Sequence, residues 1–380
     1  MTVRRLPASA YVPLGRVHAR VSRVGFGGYL VDDRNDVHRE ALREALVAGV
    51  SLVDTSTNYA DGHSETLVGE VIRDVVARGA ARREDLVVVT KAGYVQGSNH
   101  REAARRARAG APWSEMTEYA PDCWHCISPD FLGDQLTDAL SRLAMPKVDV
   151  FLLHNPEYFL MDAAHRGTPP DEARKAFYDR LQRAFRHLES ETAAGRIGAY
   201  GVSSNTFVVP HDKEDAVSLE RVLETAGPGF AVIQLPFNPL ETGAREPFHT
   251  ADGRSVLDVA KDAGLGVLVN RPLNAFSERG LVRFAALAPD ILRELGHAAD
   301  WDAERIKPLA SYLDAEFTGD AKSKSDAESK SDAALGRDVD ADATLAQRTL
   351  RALLKTPGVD VVLVGMRRAA YVRDVLGAFA

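Results

Sequence analysis

"SLVDTSTNYADGHSE", residues 51–65, is the stretch on which the fold turns. A short apolar run stops at Asp54, and a polar turn then carries Tyr59, His63 and Glu65. Apolar runs of this length suit strands buried on both faces, as in a parallel sheet. Behind the turn, "SETLVGEVIRDVVARG" (64–79) has Ser64 where a helix N-cap would stand and ends at a glycine. The unit is therefore strand, polar turn, helix.

The same unit recurs along the chain. Strand-like runs lie at 23–26, 51–54, 86–91, 148–154, 197–203, 231–235, 265–270 and 359–364. Helical spacing is found at 38–49, 64–79 and 128–143, the last with Ser128 as N-cap and Pro129 at the first helical position. Further helices are expected near 171–194, 216–226, 253–263, 343–355 and 368–378. Strand and helix in strict alternation predict an α/β chain folded as a (β/α)8 TIM barrel, a single domain over residues 1–380. An open doubly wound sheet is the competitor. It calls for a glycine-rich turn after its first strand, and "VGFGGYLVDD" (24–33) lacks the G-x-G-x-x-G spacing.

Three connections exceed plain links: residues 92–128, 155–170 and 271–342. All follow strand ends, so these long loops are expected at the C-terminal face, where barrel enzymes place their sites. The last should contain two short helices, near 279–297 and 301–317. Its low-complexity part, 319–342, has almost no large apolar residues and is expected to be disordered.

Composition narrows the classes of function. A net charge of -7 gives no electrostatic ground for nucleic acid or anionic lipid as a partner. No run approaches the roughly 18 apolar residues of a membrane span. The first residues lack the apolar core of a signal peptide, and with two cysteines a cytoplasmic protein is the expectation.

Successive strands close on Asp54, Lys91 and His154, with Tyr59 just beyond the first of them. In a barrel these ends share one mouth. A phenol titrates near pH ~10, and a nearby ammonium favours its ionised form. Asp54 would orient Lys91, His154 would hold a carbonyl, and Tyr59 would exchange the proton. Hydride must come from a nicotinamide or a flavin, because no side chain supplies it.

At this point "DTSTNYADGHSETLVGEVI" (54–72) resembles the signature of the aldo-keto reductase family. "TK" (90–91), "LLH" (152–154), "GAYGVSS" (198–204), "IQLPFNPLE" (233–241) and "DVVLVGMRRAAYVRDVL" (360–376) follow in the family's order. The resemblance implies a catalytic tetrad of Asp54, Tyr59, Lys91 and His154. It also implies NADPH bound without a Rossmann domain, with NADH as the alternative. Gln234 and Ser203 match residues that hold the nicotinamide amide, and Asn205 stands one step beyond the usual asparagine. Gly365, Arg367 and Arg368 would seat a phosphate at a helix start. Asp374 falls where the family often has a glutamate near the adenine. Where the family stacks an aromatic ring on the nicotinamide, this chain has Asn270. Arg271 beside it is expected at the cofactor diphosphate.

The activity so implied is an NADPH-dependent oxidoreductase that interconverts a carbonyl (aldehyde, ketone or aldose) and an alcohol, on a small molecule, by a monomer. The alternative is an NADPH-binding, redox-sensing regulatory protein on the same fold. A cofactor-free barrel enzyme is a third reading. Trp124, His125 and Tyr158 are expected to line the substrate pocket, with Tyr94, Trp113 and Phe159 adding to an aromatic surface. No metal is expected: "CWHC" (123–126) has no second cysteine pair, and its thiols read as bystanders. His63 reads as a solvated loop residue and Glu65 as a first-turn helix charge. "REAARRAR" (101–108) reads as a solvated helical turn.

Overall fold

The computed structural model describes residues 5–238, 241–277, 280–283 and 343–379. An antiparallel hairpin comes first, β1 (Tyr11–Leu14) and β2 (Val17–Ser22). Then β3 (Val24–Gly27), α1 (Asp36–Val47), β4 (Leu52–Asp54), α2 (His63–Ala77) and β5 (Val87–Ala92) alternate. The connection after β5 holds β6 (Tyr94–Val95), α3 (Gly97–Arg108), β7 (Thr117–Ala120) and β8 (Cys123–His125), and leads to α4 (Pro129–Leu143). After β9 (Val148–His154) come α5 (Tyr158–His165), α6 (Pro170–Ala193), β10 (Ile197–Ser203), α7 (Leu219–Thr225), β11 (Phe230–Pro236), α8 (Val256–Asp262) and β12 (Gly266–Asn270). A hairpin of β13 (Asn274–Ser277) and β14 (Gly280–Arg283) precedes α9 (Leu345–Lys355), β15 (Val361–Val364) and α10 (Ala369–Leu376).

Eight strands close into a parallel barrel in the order β10-β11-β12-β15-β3-β4-β5-β9. This is the TIM barrel expected from the alternation of apolar runs and helices. Their side chains divide between two cores. Leu52, Val87, Val89, Val150, Leu152, Leu268 and Leu363 fill the interior, where Leu14 and Val21 of the N-terminal hairpin join them. Val53, Val88, Phe151, Leu153, Val202 and Ile233 face outward and pack under the helices. Adjacent residues of one strand thus serve different cores, so the runs are apolar throughout.

Local signals held less evenly than the strands. Gly62, at φ 91°, takes the N-cap place of α2, while Ser64 lies inside the helix and donates to the Gly28 carbonyl (2.9 Å). Ser128 and Pro129 stand at the start of α4 as expected, but the serine hydroxyl makes no cap bond and contacts Cys126 Sγ instead (3.1 Å). The helices expected at 279–297 and 301–317, and the stretch 319–342, lie outside the described residues. In the 92–128 connection, β6, β8 and β7 form a three-stranded antiparallel sheet. Among the described residues no helix is long and apolar enough to cross a membrane.

Candidate active site

Strand register sets the site. Gly27 pairs with Asp54, Lys91 with Leu152, and Ser203 with both His154 and Gln234, so polar side chains of neighbouring strands meet at one end of the barrel. Lys91 is fully buried. Its Nζ donates to Asp54 Oδ1 (2.6 Å) and to the Thr55 carbonyl (2.8 Å). Gln234 Nε2 donates to the same Asp54 oxygen (2.8 Å), and Ser203 Oγ donates to Gln234 Oε1 (3.0 Å). Burial pulls the Lys91 pKa down, and the Asp54 carboxylate opposes that pull. The ion pair is thus met by a chain of protein donors running from Ser203 through Gln234 to Asp54.

Tyr59 opens a short 3-10 turn directly past β4. Its ring meets that of His154 edge-on (centroids 5.8 Å apart), and Tyr29 covers it from outside (5.3 Å). Lys91 Nζ lies 4.9 Å from the ring centroid, a cation–π contact. Burial pushes the Tyr59 phenol well above its ordinary value, and the charges of Asp54 and Tyr29 push the same way. The net shift is upward, opposite to the expected lowering, because burial outweighs the nearby Lys91 ammonium, which is itself bonded to Asp54. The phenol is protonated at neutral pH.

His154 Nδ1 lies 3.0 Å from Ser56 Oγ, which also donates to Asn58 Oδ1 (2.7 Å). Burial, reinforced by the Lys91 charge, holds the imidazole well below its usual pKa, so it is neutral. Behind it, His125 Nε2 donates to the His154 carbonyl (2.7 Å). Gly93 makes this approach possible: a Cβ there would lie 2.4 Å from the His154 oxygen and 2.5 Å from His125 Nε2.

The expected pocket residues separate. Tyr158 is half-buried, with ring contacts to Tyr94 (5.4 Å) and His125 (5.7 Å). Trp124, also half-buried, packs against His100 (4.5 Å). His125 is only 1% exposed and supports the wall from behind, which corrects its placement as a lining residue. Trp113 is likewise buried, against Phe131 and Asp134. Cys126 is buried and its thiol is pushed up to about 11, far from thiolate chemistry.

Two further expectations need correction. His63 is the first residue of α2 and bonds Asp33 Oδ1 through Nδ1 (2.8 Å). Glu65 is fully buried, joining Thr90 of β5 (2.5 Å) to Arg142 of α4 (2.6 Å). It is a strut between three elements rather than a solvated charge. The basic run 101–108 falls on α3 as expected, with Arg105 and Arg106 paired to Glu102.

The residues expected at a cofactor lie around the same end of the barrel. Ser203 and Gln234 are nearly fully buried and tied to Asp54 as described, so they brace the tetrad. Asn205 is half-buried, and its backbone N–H donates to Glu157 Oε1 (2.8 Å). Arg271, at φ 53°, bonds Glu241 Oε1 through Nη2 (2.7 Å). Asp374 accepts from Thr344 Oγ1 and Gln347 Nε2 (both 2.9 Å), which ties α10 to α9. Gly365 is exposed, and no atom lies within 4 Å of where a Cβ would stand. Arg367 is half-buried, and Arg368 is exposed at the start of α10. At the end of β12, the buried Asn270 Oδ1 has no hydrogen-bond partner among the described residues. Open backbone at Gly365, a helix start with arginines, and a lone buried acceptor fit an elongated ligand with an amide and a phosphate.

Comparison with known proteins agrees with the fold and shows the family. The model of the aldo/keto reductase family matches residues 23–380. The chain is 22% identical over 367 residues to an uncharacterized oxidoreductase of Bacillus subtilis (strain 168), which covers 96% of this chain and 89% of that one. Against the NADH-specific methylglyoxal reductase of Escherichia coli (strain K12) it is 25% identical over 151 residues, 38% of this chain and only 41% of that enzyme. Among solved structures, the glycerol dehydrogenase from Gluconobacter oxydans superposes with a TM-score of 0.58 at 19% identity, covering 98% and 91% of the two chains. An aldo/keto reductase from Klebsiella pneumoniae in complex with NADP and acetate gives 0.54 at 19% identity, covering 97% and 89%.

Proposed function

Because the chain belongs to the aldo/keto reductase family of oxidoreductases, we propose that it interconverts a small carbonyl compound and its alcohol with NADP(H), Tyr59 being the proton donor and acceptor. The carrying observation is the placement of Tyr59 against Lys91 and His154 at the barrel mouth. When bound, a reduced nicotinamide supplies the hydride that no side chain can. Tyr59 Oη holds the proton that the developing alkoxide takes. Neutral His154 orients the carbonyl oxygen toward that phenol. Lys91 stabilises the phenolate left behind, while Asp54 and Gln234 keep the ammonium in place. The protonated phenol, the form that burial favours, is the one that reduction requires.

Arg367 and Arg368 support NADP over NAD, because two guanidiniums at a helix start suit a ribose phosphate. Asn205, and Asn270 Oδ1, which has no hydrogen-bond partner among the described residues, are the groups assigned to a carboxamide in this reading. One domain carries the whole reaction in this reading. The test is a panel of aldehydes, ketones and aldoses followed by absorbance of the reduced nicotinamide. Turnover that disappears in Tyr59→Phe supports the reading. Tight NADPH binding without turnover of any carbonyl would instead favour the regulatory alternative.

A further inference from the structure

Glu157 lies in the turn between β9 and α5, three residues beyond His154, and is 1% exposed. Its Oε1 accepts from the Asn205 backbone N–H (2.8 Å), and the Ser204 hydroxyl lies beside it. Its Oε2 is buried with no hydrogen-bond partner among the described residues. The titratable groups facing it are Asp215 ahead of α7, Tyr94 of β6 and Tyr158 of α5. None of these is a cation. A carboxyl held by neutral donors alone, with one oxygen left over, is a costly thing to bury for packing. What it holds is the loop that follows Ser203, on the strand next to that of His154.

We propose that Glu157 is a positioning residue for cofactor binding: its carboxylate clamps the Ser204–Asn205 loop in the shape that receives the nicotinamide end of the dinucleotide. The inference rests on the function proposed above and adds a residue that acts through Asn205 rather than on the ligand. Ionised, Glu157 accepts from the Asn205 N–H with full charge. Protonated, it accepts from that N–H more weakly. The loop is therefore set best when the group is ionised, and dinucleotide binding is accompanied by proton release wherever free Glu157 is partly protonated. Burial raises its pKa to about 7, which places that change in the neutral range.

The test is the dissociation constant of NADPH, read by quenching of tryptophan fluorescence, for the intact protein and for Glu157→Gln from about pH 6 to about pH 8. In the parent protein the constant should fall by about five-fold or more across that range, as expected for one linked proton. In Glu157→Gln the amide oxygen still accepts from Asn205, but there is no charge to change. The same range should then be flat, with binding weaker throughout. The KM for NADPH should follow this pattern while kcat at saturating cofactor does not. A variant that keeps the parent's pH dependence, or a parent that shows none, overturns the role of Glu157 and leaves the reductase reading intact. Failure of both proteins to bind NADPH at any pH overturns both.

Discussion

The ammonium of Lys91 stands over the ring of Tyr59, 4.9 Å from its centroid, while its hydrogen bonds go to Asp54 and the Thr55 carbonyl. Burial thus favours the acid form of the phenol, and in the proposed reaction the cation would face the charge that forms when the proton leaves. Tyr59→Phe removes the proton but little volume. Carbonyl reduction should fall by about 10²-fold or more, while the NADPH dissociation constant changes less than about two-fold. Steady-state rates and fluorescence titration check the two halves separately.

Ala60, directly after Tyr59, has φ 49° and ψ 37°, a left-handed conformation that costs a residue with a Cβ about 1 kcal/mol. Ala60→Gly should therefore stabilise the protein by up to about 1 kcal/mol, less the extra entropy glycine gives the unfolded chain. The urea midpoint should rise without a change in kcat. A fall in the midpoint would show that the alanine methyl contributes more than the strain removes.

Gly93 cannot accept a Cβ without moving the His154 carbonyl or the His125 ring. Gly93→Ala should break the His125–His154 contact and displace the imidazole that orients the substrate. A loss of kcat/KM by about 10²-fold is expected, since small misplacements in a site of this kind carry such costs. Far-ultraviolet circular dichroism should remain close to that of the parent, because the change falls at the ends of β5 and β9 rather than along them.

Glu157 also leaves a mark on stability that is independent of any cofactor. Its folded pKa, raised to about 7, exceeds the ordinary value of 4.5, so between these pH values the folded state binds the proton and the unfolded state does not. Its contribution is present in full below the unfolded pKa and is lost as pH rises through the folded one. Glu157→Gln abolishes that loss. Relative to the parent, the variant should gain roughly 2 kcal/mol between about pH 5 and about pH 8, measured by chemical denaturation at each pH.

Glu65→Ala would strand Arg142 against the buried end of α2 and leave Thr90 without its acceptor. Removing one member of such a pair costs about 3 kcal/mol or more. Glu65→Gln, whose amide oxygen can still accept from Arg142 while its N–H donates to Thr90 Oγ1, should be far milder. Melting curves of the two variants distinguish a strut from a merely solvated helix charge.

The barrel was legible because its strands are apolar on both faces, so Val148–His154 and Ile197–Ser203 stand out as unbroken runs. Asp54, Lys91 and His154 were legible for the same reason: a polar residue ending such a run is conspicuous. The hairpin at Tyr11–Leu14 and Val17–Ser22 was missed, since "YVPLGRVHARVS" alternates apolar with polar and includes a proline. The small sheet of β6, β8 and β7 was missed because its members are two to four residues long and pair across α3. Gln234 bracing Asp54 joins residues 180 positions apart, and local spacing carries no trace of such a bond. Glu157 was passed over because "HNPEYF" reads as a turn; a glutamate just past the catalytic histidine was the available signal. The pairing of Arg271 with Glu241 and of Asp374 with Thr344 is set by tertiary packing, which local spacing does not show.

The sheet raised in the 92–128 connection has one more consequence. Through His125 it is bolted to the carbonyl of the very residue that would orient the substrate. In the proposed reaction Tyr94, whose ring meets that of His154, and Trp124 of the same sheet would form a fixed template beside the substrate. Selectivity can be retuned by exchanging side chains on that template, with the proton-transfer apparatus below it untouched, so new substrates are open to this scaffold through a surface of a few residues.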